Sequence, residues 1–133
     1  ILNKYFMKIP ENLKFTKDHE FVMVDGNIAT VGITDYAQGE LGDIIFVDFA
    51  KSEGDAVASE ETVCSIEAVK TVSEVFSPVS GKIVGLNSGI NDKASAVNED
   101  PYGEGWLFKI EMANAAELDA LLDSKAYTEL IGA

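Results

Sequence analysis

The chain of 133 residues has one cysteine, Cys64, and one histidine, His19. A single thiol cannot close an intrachain disulfide, so chemistry between two sulfurs would need a cofactor or another chain, and the composition points to a reducing compartment. A lone histidine without partners at ligand spacing makes a poor metal centre. Cys64, inside an expected strand, reads as a small core residue rather than a nucleophile. Cations are scarce as well: 10 Lys and Arg stand against 23 Asp and Glu, a formal charge of −13. That balance argues against nucleic acid, because phosphate binding needs clustered cations. No apolar run approaches the roughly 20 residues that cross a bilayer, and no apolar signal core opens the chain. A Ser-His-Asp order, a phosphate-cradling glycine loop and a metalloprotease helix motif are all missing. What these absences leave is an acidic domain with no self-contained catalytic site, whose surface charge either steers it toward basic protein partners or only maintains solubility.

With 47% hydrophobic residues, the length supports one core and one domain. Met7 is a plausible native start, so residues 1–6 are read as a remnant and 7–133 as the domain. Asp25-Gly26 lies between Phe21-Val22-Met23-Val24 and Ile28-Ala29-Thr30-Val31, a hairpin signal. Thr34 is placed to cap a short helix through Ala37 and Gln38, with Gly39 ending it and Gly42 opening a strand over 44–49. Residues 50–55 read as a polar turn, and strands are expected at 63–68, 72–76, 82–86 and 106–110, with a long loop over 87–103. Asn114 and Glu117 have capping-box spacing, and Leu118, Leu121, Leu122 and Leu130 recur at helical intervals, predicting one amphipathic C-terminal helix with the first three leucines buried beneath it. Pro101, Gly103 and Gly105 favour a tight connection over a binding loop. The pattern is mainly β, a barrel or sandwich closed on one side by the last helix.

The informative stretch surrounds Lys70. A lysine at a hairpin tip between β-forming segments is held away from the domain on a support stiffened by cross-strand pairing, well placed for modification. Position alone would also suit an ordinary solvated lysine. Glu67-Ala68-Val69-Lys70-Thr71 followed by Ser77-Pro78-Val79-Ser80-Gly81 resembles the lipoyl-attachment hairpin of glycine cleavage H proteins. Biotinyl domains and the lipoyl domains of 2-oxoacid dehydrogenases are weaker matches, since Val69 and Thr71 flank the lysine here. The resemblance extends to Phe15-Thr16-Lys17-Asp18-His19-Glu20-Phe21, to Val31-Gly32-Ile33-Thr34-Asp35-Tyr36-Ala37, to Leu41-Gly42-Asp43, and to residues 98–107. Two departures stand out: Phe21 replaces a usual Trp, losing an indole N–H donor, and residues 91–95 lack a common proline.

The resemblance implies a barrel-sandwich hybrid of the lipoyl/biotinyl kind with a short helix and a C-terminal helix. It implies a monomeric, non-catalytic carrier with lipoic acid amide-linked to Lys70, where Glu67, Val69 and Thr71 form the attachment context. The cofactor supplies the chemistry and the protein presents it. An aminomethyl group would pass from a pyridoxal-phosphate glycine decarboxylase to a tetrahydrofolate-dependent aminomethyltransferase, and dihydrolipoamide dehydrogenase would reoxidise the dithiol. A lipoate-attaching enzyme is the remaining implied partner. The setting would be the cytoplasm in a bacterium or the mitochondrial matrix in a eukaryote. Asp18 and Glu20, expected on the first strand, and Glu74, after the tip, match positions that hold the loaded arm's amine. Plain surface charge is their alternative. Glu20→Gln is then expected to leave folding and lipoylation intact while exposing the loaded arm. A lipoyl relay that donates the cofactor to other enzymes would share every motif, and a structural protein with an unmodified Lys70 is the third class.

Overall fold

A computed structural model describes residues 7–133, so the reading of residues 1–6 lies outside it. Among the described residues nine strands alternate with short helices: β1 Lys14–Phe15, β2 Glu20–Asp25, β3 Ile28–Ile33, α1 Asp35–Leu41, β4 Ile44–Phe49, β5 Ala56–Val57, β6 Thr62–Ala68, β7 Val72–Phe76, β8 Gly81–Leu86, α2 Ala96–Glu99, β9 Phe108–Met112 and α3 Ser124–Ile131. The strands form a six-stranded sheet, β1-β2-β3-β9-β8-β5, and a three-stranded sheet, β4-β6-β7. The mainly-β class with a short helix and a C-terminal helix is what the structure has. The two sheets are not closed into a barrel.

One apolar cluster joins the sheets. Val22, Val31, Ile83 and Ile110 from the larger sheet pack with Val47, Val63, Cys64, Ile66 and Val75 from the smaller. Alternation drives this arrangement, since successive strand residues face opposite sides and only one face needs to leave water. Cys64 is fully buried, and desolvation pushes its thiol well above the ordinary range, which suits a packing role. A second cluster of Leu13, Phe15, Phe21 and Tyr127 lies under the C-terminal helix. Phe21 packs edge-on to the Tyr102 ring at 5.1 Å and is fully buried, so nothing there calls for the missing indole donor.

The β2–β3 hairpin turns at Gly26, whose φ is +61°, with Asp25 paired to Ile28. Thr34 caps α1 by accepting from Ala37 N–H at 3.1 Å. The expected end of that helix is corrected: Gly39 lies inside α1, and Gly42, at φ +78°, terminates it by donating to the Gln38 carbonyl. The short strand β5 follows the polar turn without a signal in the sequence. The expected strand at 106–110 begins two residues later, at Phe108. Within 87–103 the chain forms a 3-10 turn, Ser88–Asp92, and the one-turn α2, so this stretch is structured rather than a plain loop.

The single C-terminal helix is the largest correction. Asn114 does cap a helix, accepting from Ala116 N–H at 3.1 Å, but it is a 3-10 segment, Ala115–Ala120. The Glu117 carboxylate does not reach back to Asn114. It accepts from Ser80 N–H at 2.8 Å and Ser80 O–H at 2.7 Å, tying the segment to the loop before β8. Leu121 is extended, Leu122 bridges Phe15, and a new cap at Asp123 starts α3. Leu118, Leu121 and Leu122 are half-buried rather than buried, and Leu130 is exposed; Tyr127 is the residue α3 buries.

Candidate functional site

Lys70 lies between β6 and β7, which pair from Thr62↔Phe76 to Glu67↔Val72. The turn is closed by Ala68 N–H to the Thr71 carbonyl at 2.8 Å, and its flank is stitched to the start of β4 by Val69 N–H to the Asp43 carbonyl at 3.1 Å. Val69, Lys70 and Thr71 are exposed, and Glu67 is half-buried one rung below. Among the described residues Lys70 makes no ion pair. A primary amine on a three-strand support, free of partners and away from the core, has the access that amide formation at Nζ requires.

The three carboxylates singled out from the sequence come together. Asp18, Glu20 and Glu74 line one cleft of about 220 Å³ with His19, Ser73, Ile33 and the α1 residues Tyr36, Ala37, Glu40 and Leu41. The cleft therefore has apolar walls from Ile33, Ala37 and Leu41 and an acidic rim, a composition suited to an apolar chain ending in a cation. Glu67, Val69 and Thr71 stay with the tip and do not line it. The contribution of α1 was missed in the sequence; the only hint was its amphipathic apolar pair, Ala37 and Leu41, beside the Lys70 hairpin in the fold.

Asp18 is not on a strand as expected. It sits in the turn between β1 and β2, its N–H donating to Thr16 Oγ1 at 3.2 Å. Glu74 is exposed and accepts from Thr62 O–H at 3.1 Å. Glu20 is different in kind, being only 2% exposed, which removes plain surface charge as its alternative. Its two oxygens accept from Thr16 O–H and from Phe76 N–H, each at 2.8 Å. Desolvation raises its pKa from 4.5 to about 7; the two hydrogen bonds oppose that, and the charges of Asp18 and Glu60 add to it. Glu20 also borders a second depression of about 330 Å³, lined among others by Thr16, Glu60, Pro78 and Leu121.

His19 adopts φ +69°, an uncommon conformation for a side-chain-bearing residue. Its Nδ1 lies 2.8 Å from the Tyr127 hydroxyl, which is also 2.8 Å from Thr34 Oγ1. Tyr127 stacks on Phe15 with ring centroids 4.7 Å apart. One phenol thus joins the turn before Glu20, the cap of α1 and the C-terminal helix. Burial lowers the His19 pKa, against the opposing charges of Asp18 and Glu40, and pushes the Tyr127 phenol up to about 12. The expected structural reading of residues 101–106 also fits: the Tyr102 hydroxyl accepts from Asp35 N–H at 3.0 Å and donates to the Lys8 carbonyl at 2.6 Å, fastening the first turn of α1.

Comparison with known proteins adds the following. The family model described as "Glycine cleavage H-protein" matches residues 13–133. A glycine cleavage system H protein of Chlorobium phaeovibrioides is 53% identical over 128 residues, covering 95% of this chain and 99% of that one. The protein of the same name from Bacteroides fragilis is 48% identical over 127 residues, covering 96% and 100%. The crystal structure of a glycine cleavage system H protein from Mycobacterium marinum superposes with a TM-score of 0.84 at 33% identity, covering 93% of this chain and 99% of that one.

Proposed function

Because the chain belongs to the glycine cleavage H-protein family, we propose that it is a lipoyl carrier of the glycine cleavage system, with lipoate amide-linked to Nζ of Lys70. The observation that carries this reading is an exposed, unpaired lysine at a hairpin tip of a fold whose neighbouring cleft has apolar walls and an acidic rim. When bound, lipoate would supply a redox-active disulfide for aminomethyl transfer between glycine decarboxylase and the tetrahydrofolate-dependent aminomethyltransferase, with dihydrolipoamide dehydrogenase as the reoxidising partner.

The chain's own residues hold and shelter. Ile33, Ala37 and Leu41 offer apolar contact to a hydrocarbon arm, and Asp18, Glu20 and Glu74 offer carboxylates to an ammonium group. Glu20 gains most from such a cation. Buried carboxylates are costly without a counter-charge, and a cation within about 4–6 Å favours the ionised form. The acid and the amine would therefore stabilise each other's charge in a place that excludes much of the water. The formal charge of −13 supports steered association with basic surfaces on the partner enzymes.

The test is intact-mass measurement after incubation with a lipoate-attaching enzyme, free lipoate and ATP. Wild type should gain one lipoyl group and Lys70→Arg none, since Arg keeps the charge but has no acylatable amine. Equal incorporation in both would move the attachment site to another lysine, and no incorporation into wild type would remove the carrier reading.

A further inference from the structure

Seven large apolar side chains are exposed among the described residues, and four of them gather around Lys70: Ile45 at 58% exposure, Phe46 at 42%, Val69 at 67% and Val72 at 61%. Isolated exposed apolar residues need no explanation; a contiguous set marks a contact surface. Phe46 and Val72 flank Glu67 from opposite sides in one cross-strand row. Ile45 precedes Phe46, and the Val69–Asp43 hydrogen bond draws the tip against the start of β4. A bulge creates the set. Between Ile44 and Phe46 the register of β4 shifts, so Ile45 and Phe46 both face solvent between the buried Ile44 and Val47. Bulges re-aim side chains in this way beside functional sites.

The surroundings are acidic. Two rungs along, the next row on the same face of the sheet is Asp48, Ser65 and Glu74, and Lys70 is the only cation in residues 43–49 and 62–76. We propose that this apolar collar is the docking surface for the enzyme that acylates Lys70, whose active-site mouth would carry an apolar rim flanked by lysines or arginines. The proposal rests on the carrier reading, and reach selects the occupant. The bare Nζ lies one side chain from the tip, so an enzyme acting on it must close over the flanking residues, whereas one that meets the far end of a loaded arm need not. In that step the Nζ lone pair attacks the carboxyl carbon of an acyl adenylate. The N–C bond forms, the bond to the phosphate oxygen breaks with AMP as leaving group, and the surplus Nζ proton passes to solvent.

The test measures acylation of the full unloaded chain by a lipoate-attaching enzyme, comparing wild type, the double variant Ile45→Ser/Phe46→Ser, the conservative Ile45→Val/Phe46→Leu, and the distant control Val24→Ser/Val84→Ser. The collar variant should raise KM for the protein substrate about tenfold with kcat unchanged. The conservative variant and the control should stay within about twofold. Circular dichroism and urea midpoints establish that each variant is folded. KM should rise with ionic strength in wild type and collar variant alike, because the acidic row is untouched. A folded collar variant with wild-type KM, an equal loss in the control, a fall confined to kcat, or a salt-independent KM would each overturn the proposal. Failure of wild type itself to become lipoylated would instead strike the carrier reading.

Discussion

Replacing Glu20 by Gln should change the stability of the unloaded protein in opposite directions at low and high pH. The folded chain holds the Glu20 proton up to about pH 7, and the unfolded chain releases it near the ordinary value of 4.5. Below the lower value the acid is neutral in both states and its burial carries no charge penalty. As pH rises toward the higher value the unfolded state ionises first, so wild-type stability falls through this window. At about 1.4 kcal/mol per pH unit, the fall is on the order of 3 kcal/mol. Gln has no charge to desolvate. Its single carbonyl oxygen can accept from Phe76 N–H or from Thr16 O–H but not from both, a loss of about 1 kcal/mol. The variant should thus be about 1 kcal/mol less stable than wild type below about pH 4, close to it at pH 5, where the unfolded acid is already mostly ionised, and about 2 kcal/mol more stable at pH 8. Urea unfolding of both proteins at pH 3.5, 5, 6, 7 and 8 reads this directly. The contribution of the other carboxylates cancels in the difference. A stability difference constant across the series would refute the reasoning, as would a Glu20 carboxyl carbon that titrates near 4.5 by NMR. The expectation that this substitution leaves folding untouched is therefore replaced by a pH-dependent one, because the carboxylate is buried.

Other perturbations follow from the same geometry. Tyr127→Phe keeps the stack on Phe15 but removes the partner of His19 and Thr34; it should cost about 1–3 kcal/mol in urea unfolding, and a wild-type midpoint in this variant would mean that the hydroxyl is not what matters. Gly39→Ala should stabilise by about 0.5–1 kcal/mol, because Gly39 is inside α1 and an added Cβ meets nothing within 4 Å. Gly105→Ala should destabilise by more than about 2 kcal/mol, since its Cβ would stand 2.7 Å from the Ala96 carbonyl oxygen and 2.8 Å from that of Asp100. Thermal midpoints of these two variants that move in the same direction would count against both arguments.

What the sequence disclosed and what it hid divide along a physical line. The β2–β3 hairpin, the Thr34 cap, strand β4 and the β6–β7 hairpin depend on neighbours in the chain, and each carries a local signature in turn residues and alternation. The C-terminal region also has strong local signals, and there they mislead. The leucine spacing is continuous from Leu118 to Leu122, but pairing of Leu122 with Phe15 and capture of Glu117 by Ser80 stop one helix and force another to start. Those partners lie far away in sequence, and no local pattern announces them. The site shows the same division. Lys70 is legible from its motif, whereas the α1 wall of the cleft and the burial of Glu20 arise only when distant segments pack together.

The Tyr127 hydroxyl meets His19 across 108 positions and Thr34 across 93. Closing loops of that length costs more chain entropy than closing a hairpin of neighbouring residues. Until the segment bearing Tyr127 has been synthesised, the turn before Glu20 and the cap of α1 lack the phenol that joins them. A partly translated chain can therefore form the Lys70 hairpin from neighbouring residues well before it can complete the cleft. Recognition that reads only the hairpin would accept an unfinished protein, whereas shelter for a cargo would begin only when the molecule is whole.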